Sequence, residues 1–221
     1  MDTPTILLLN DDCLVCIFQY LTLDELMALH GELNPRIDQI LEQQLHRFKH
    51  FEFSMRFPPS YGWNQLQALG RHLHSLNVNV GYSIKAGEVL DLLPNLCLGA
   101  AQSGRLRVLK IQHVVLTGDY IEQILLVAPF LEELDISCSS IEDHLLPNML
   151  HLATNLKTLA VSSEAAAFLD ISLLRSLWHL KINWIVGTPL IDCASLSKEY
   201  PLLNISVYQS NSVFKFGPNY R

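Results

Sequence analysis

Seven six-residue windows of the form apolar-x-x-apolar-x-apolar recur along the chain. They start at Phe48 (FKHFEF), Leu73 (LHSLNV), Leu106 (LRVLKI), Leu131 (LEELDI), Leu156 (LKTLAV), Leu177 (LWHLKI) and Leu202 (LLNISV), at intervals of 25, 33, 25, 25, 21 and 25 residues. The residue between the fourth and sixth positions is never large and apolar: Glu52, Asn77, Lys110, Asp135, Ala160, Lys181 and Ser206. Successive side chains leave a strand on opposite sides, so a period of two predicts a strand with one dry and one wet face. Between the windows the period lengthens. Residues 117–130 place Ile121, Ile124, Leu125 and Ala128 on one helical face, with Thr117 as a cap and Pro129 as a stop. Residues 142–153, 166–177 and 193–201 repeat this helical arrangement less regularly.

One strand and one helix per repeat cannot bury their own apolar faces; copies stacked in register can. The expected fold class is therefore α/β. A short all-helical module over 1–47 precedes about seven repeats over 48–209, forming a curved solenoid with a parallel sheet on the concave side and helices on the convex side. Residues 210–221 are left as a tail or cap, in which Val213, Phe214 and Phe216 are expected to cover the last open edge as a further strand.

The windows resemble leucine-rich repeats, whose Leu-x-x-Leu-x-Leu core they carry over roughly residues 48–209. The Asn or Cys usual three positions further on is replaced by Val114, Ser139 and Ile185. On such a sheet the wet positions line the concave face. Candidate target-binding residues are Glu52, Lys110, His113, Asp135, His179, Lys181, Trp184 and Tyr208, with Trp184 and Tyr208 as aromatic anchors.

The first 47 residues differ in character. Eight acids against Arg36 and Arg47 give a charge of −6, while 14 acids and 13 bases over 48–221 give −1. An acidic head on a near-neutral body lacks the basic track that nucleic acid requires. Asn10 or Asp11 can cap a helix running to Leu21, with Leu14, Ile17, Phe18 and Leu21 as an apolar stripe. Cys13, Val15, Cys16 and Tyr20 occupy its other faces. A helix apolar nearly all round must be covered on more than one side. Residues 23–30 and 35–45 can cover one side; the repeat body or a partner protein must cover the other.

This segment resembles an F-box over about residues 6–47. The opening Leu9-Asn10-Asp11-Asp12 stands where that family has Leu-Pro-x-Glu, and the helix ends Ile17-Phe18-Gln19-Tyr20-Leu21, followed by Asp24-Glu25-Leu26. Asn10 departs from the usual proline, and residues 31–41 replace the family's Val-Cys-x-x-Trp segment. The resemblance implies a substrate receptor of an SCF-type cullin–RING ubiquitin ligase, docking on a Skp-type adaptor through Leu9, Leu14, Ile17, Phe18, Leu21 and Leu26. The alternative is a repeat scaffold whose N-terminal helices only cap the solenoid.

Candidate chemistry changes this picture little. Cys13 and Cys16 form a Cys-x-x-Cys pair, but no second pair completes a tetrahedral zinc site. Neighbours three apart on a helix have Cβ atoms roughly 5–6 Å apart, too wide for an unstrained disulfide. The nine histidines lack zinc spacing, and no phosphate loop or nucleophile elbow occurs. No enzyme activity, metal or cofactor is expected. With no apolar run of eighteen residues and no basic leader, no membrane span or secretory signal is expected, and the expected location is intracellular, cytoplasmic or nuclear.

Overall fold

The computed structural model describes residues 6–81, 86–142, 145–188, 191–209 and 212–216. The strands are β1 (His50–Ser54), β2 (Ser75–Asn79), β3 (Val108–Gln112), β4 (Val115–Leu116), β5 (Glu133–Asp135), β6 (Ser140–Ile141), β7 (Thr158–Ser162), β8 (His179–Asn183), β9 (Asn204–Gln209) and β10 (Ser212–Phe216). The helices are α1 (Asp11–Phe18), α2 (Leu23–Leu29), α3 (Pro35–Leu45), α4 (Trp63–Gly70), α5 (Val89–Ser103), α6 (Gly118–Val127), α7 (Leu145–Leu152), α8 (Ser163–Ala166) and α9 (Cys193–Glu199).

Each window supplies one strand, beginning two residues into the window. Together with β10 these strands make an eight-stranded sheet in chain order, β1-β2-β3-β5-β7-β8-β9-β10; β4 and β6 form a separate two-residue pair. All pairings among the window strands are parallel, and only β10 runs antiparallel, to β9. The register aligns the fourth window positions: Phe51, Leu76, Leu109, Leu134, Leu159, Leu180 and Ile205 face one another in a row. This row and the sixth-position row (Phe53, Val78, Ile111, Ile136, Val161, Ile182 and Val207) are buried. Each such aliphatic side chain stabilises by about 1.5–3 kcal/mol on burial, so a one-residue slip, which would turn both rows to the wet face, is strongly disfavoured.

The expected last strand is present: β10 pairs Val213 with Tyr208 and Phe216 with Ile205. Other expectations need correction. Leu202 is 83% exposed, and Leu203 takes the inward place, because Pro201 and Leu202 form the turn ahead of β9. Residues 166–177 are not a helix. Ser162 accepts the Ala165 N–H and starts the short α8 early, and Asp170 then accepts the Ser172 N–H to start a single 3-10 turn at Ile171–Leu173. Side chains that bond nearby backbone compete with helix in this way. The helical reading also missed α5, the longest helix among the described residues, which carries Pro94 inside it and lies within the 33-residue interval.

A hydroxyl ties two of the turns that follow the strands together. Ser139 is buried, donates to the Ile111 carbonyl (2.9 Å) and accepts the Val114 N–H (3.4 Å), joining the turns after β3 and β5. The N-terminal helices do not stand apart from this body. One continuous cluster of buried apolar residues runs from Leu14, Phe18 and Leu26 through to Val207.

Candidate protein-binding surfaces

The first surface is built on α1. Asn10 caps it, accepting the Cys13 N–H at 2.8 Å. Arg36 holds the start of the helix, pairing with Asp11 at 2.6 Å and donating to the Leu9 carbonyl. Arg47 holds the end, donating to the carbonyls of Phe18, Gln19 and Leu21. The last carbonyls of a helix have no partners within it, and a cation there also opposes the negative end of the helix dipole. The helix stops at Phe18, short of the expected Leu21, and the N–H groups of Tyr20 and Leu21 turn back to the carbonyls three residues before them.

These anchors fix which face is turned inward. Leu14 and Phe18 are buried at 0% and 1% exposure, Leu26 is buried on the inner face of α2, and Leu21 packs against the core. Four of the six residues expected to meet an adaptor therefore hold the chain's own helices together. Leu9 and Ile17 are exposed, the latter at 40%. Ile17 belongs to a second stripe, Cys13, Cys16, Ile17 and Tyr20, all exposed and spaced i, i+3, i+4, i+7. Tyr20 is 81% exposed, and Leu8 and Leu9, which precede the helix, are exposed as well. Both cysteines are free thiols on this outward stripe. The sequence left open whether the body or a partner covers it; in the structure the body does not.

The second surface is the wet face of the sheet. Lys110 and Lys181 converge on the Glu133 carboxylate from strands on either side, at 3.6 and 3.7 Å. Asp135 is engaged locally, accepting the N–H and hydroxyl of Ser137 at 3.0 and 2.7 Å. His179 Nε2 lies 3.0 Å from the Ser206 hydroxyl; burial first, and Lys181 second, lower its pKa. Glu52 is exposed at the β1 end, far along the strand order from Tyr208 on β9, which is half-buried. Ala160 and Ser206 are buried, so this face is narrower and drier near β7 and β9 than the sequence pattern implies.

Two of the expected contacts serve the fold. His113 adopts a left-handed conformation (φ 60°) in the turn after β3, where its backbone N–H donates to the Cys138 carbonyl at 3.0 Å. Trp184 packs against the core, and its indole N–H donates to the Thr188 carbonyl at 3.1 Å. Conversely, the strongly exposed aromatics Phe57, Trp63 and Trp178 were not among the expected contacts. The signal for the first two was available in FPPSYGW, an aromatic and proline-rich run between a strand and a helix.

Beside the wet face, Arg107, Glu132, Lys157 and Trp178 line a groove of about 510 Å³. Glu132 bonds Lys157 at 2.7 Å and lies 3.5 Å from Arg107, so these charges largely satisfy one another. Among the described residues no group of three His, Cys, Asp or Glu side chains could hold a metal ion, and no helix is long and apolar enough to cross a membrane. No protein-family model matches the chain, and no curated protein matches it.

Proposed function

We propose that this chain is a two-surface recognition protein: the substrate-recognition subunit of an SCF-type ubiquitin ligase. It docks on a Skp-type adaptor through the N-terminal helices and holds a target protein on the polar face of the sheet. The observation that carries this reading is the outward stripe of α1. A chain that buries Leu14, Phe18 and Leu26 completely leaves Ile17, Tyr20, Leu8 and Leu9 in water. Apolar residues left exposed on one stripe of a helix are characteristic of an interaction site. The seven windows, realised as strands in chain order, support the leucine-rich-repeat half of the resemblance. In this reading the protein breaks no bonds itself. Tethering a target beside the conjugating machinery makes the encounter intramolecular and raises its effective concentration.

The test is co-purification with a Skp-type adaptor. Charges at Leu14 or Phe18 would be uninformative, because a buried unpaired charge unfolds the head. Ile17→Glu with Tyr20→Glu changes only exposed positions, and adaptor binding is expected to be lost with the melting temperature unchanged. Failure of the wild type to retain adaptor, or retention by the double variant, would overturn the reading.

A second reading has its own support. The core is continuous across residue 47, and Gln65 on α4 donates to the Met27 and His30 carbonyls of the head. The N-terminal helices then serve as the cap that a stacked-repeat body needs at its open end. This reading predicts that no adaptor co-purifies and that residues 48–221 alone are insoluble.

A further inference from the structure

A cleft of about 850 Å³ lies at the seam between the N-terminal helices and the connection from β1 to α4. Asp24, Glu32 and Asp38 line it from the helical side, Tyr61 and Trp63 from the other, and among the described residues no Lys or Arg lines it. Trp63, the first residue of α4, is 74% exposed. An indole left in water forgoes the gain of burying its apolar face, which a partner can supply. The Tyr61 hydroxyl donates to Asp24, and burial, then this bond, raise the Tyr61 pKa so that it stays a neutral donor. Asp38 accepts the Gly31 N–H at 2.8 Å. His30 also lines the cleft at 8% exposure: its Nε2 lies 3.3 Å from Glu42, and its Nδ1 is enclosed with no partner among the described residues.

The geometry points to a recognition site for an arginine or lysine side chain on a basic peptide segment of a partner protein. The three carboxylates attract the cation, and the Trp63 face covers it, since a cation over an indole gains from the ring quadrupole. The alternatives fit less well. Nucleic acid and an anionic membrane would meet these carboxylates with phosphates of the same sign. A bare metal ion requires ligands converging on one point, and no such group of three occurs among the described residues. An elongated side chain with a spread or terminal charge suits separated carboxylates beside an aromatic plane. This inference does not depend on the ubiquitin-ligase reading.

Calorimetric titration of the full chain with the peptide acetyl-Gly-Arg-Gly-Arg-Gly-amide tests it, with the Glu-for-Arg peptide as control. Saturable binding is expected for the arginine peptide alone, weakening as salt rises from about 50 to about 200 mM. Trp63→Ala is expected to weaken it by about three- to thirtyfold, and Glu32→Gln by about two- to fivefold. Trp63→Phe, which keeps a ring face, should fall between the wild type and Trp63→Ala. Glu122→Gln, an equal charge change at an exposed site on α6, should bind as the wild type does. Both cleft positions are exposed, and unchanged melting temperatures confirm folding. Absence of saturable binding up to millimolar peptide overturns the proposal. So does equal binding by the wild type, Trp63→Ala and Glu32→Gln, which would reveal only general attraction to a chain of charge −7.

Discussion

Arg36 and Arg47, the bases of the first 47 residues, grip opposite ends of α1. The placement matters because α1 has only eight residues, too few for an isolated helix to persist in water. Arg47 is the stronger anchor: its guanidinium reaches three carbonyls at the helix end and lies 5.1 Å from the centre of the Phe48 ring. Arg47→Ala should cost about 1–3 kcal/mol, since it removes three hydrogen bonds from a charged donor, the one to Phe18 partly buried. Arg47→Lys should recover only part of this, because an ammonium cannot fork to several acceptors in one plane. Urea unfolding monitored by circular dichroism measures both; a silent Arg47→Ala would mean that packing alone holds α1. The sequence marked Leu14 and Phe18 as apolar helix positions, but it could not say that their burial is within the chain. It likewise read Trp184 as an available anchor, because hydropathy does not reveal the Thr188 carbonyl that takes its N–H.

Among elements, α4 and α5 approach each other through two glycines. A Cβ on Gly70 would stand 2.3 Å from the Leu96 carbonyl oxygen, and one on Gly99 would stand 2.1 Å from that of Gln67. Both obstacles are backbone, which cannot rotate away as a side chain can. Gly99→Ala must therefore push the helices apart, at a cost of roughly 1–3 kcal/mol or more from overpacking, despite alanine's better helix propensity. Thermal melting should show a clear drop; a melting temperature equal to or above that of the wild type would deny the close approach. The pattern of apolar positions could not have exposed this contact. Glycine carries no hydropathy signal, and Pro94, which ordinarily breaks a helix, lies inside α5. The strands were far more legible, because the two-residue alternation that closes each window, repeated seven times, fixes both their existence and their inward face.

For the whole molecule, acid is the condition that should loosen the fold first. His72 and His179 are half-buried, and their pKa values are lowered from the ordinary 6.5. Burial is the largest cause for each, followed by Arg105 for His72 and Lys181 for His179. The folded chain thus binds these protons less readily than the unfolded chain. The associated stability is fully present above about pH 6.5 and is lost as pH falls from there through the lowered values. Melting temperature should be flat above neutrality and decline below it, and His72→Gln with His179→Gln should flatten that decline. An unchanged slope in the double variant would place the sensitivity elsewhere. Glu132, held low by its bond to Lys157, adds a loss of the same sign only in the carboxylate range. By itself the sequence determined the seven strands, their dry faces, the final strand and the positions of α1 to α3, since each rests on a local period or cap. Only the tertiary structure decided which side of α1 stays wet, how Gly70 and Gly99 bring two helices together, and that an acidic cleft opens beside Trp63. These depend on which faces meet in space, and an apolar residue reads the same in a sequence whether its neighbour is the chain's own core or a protein yet to bind.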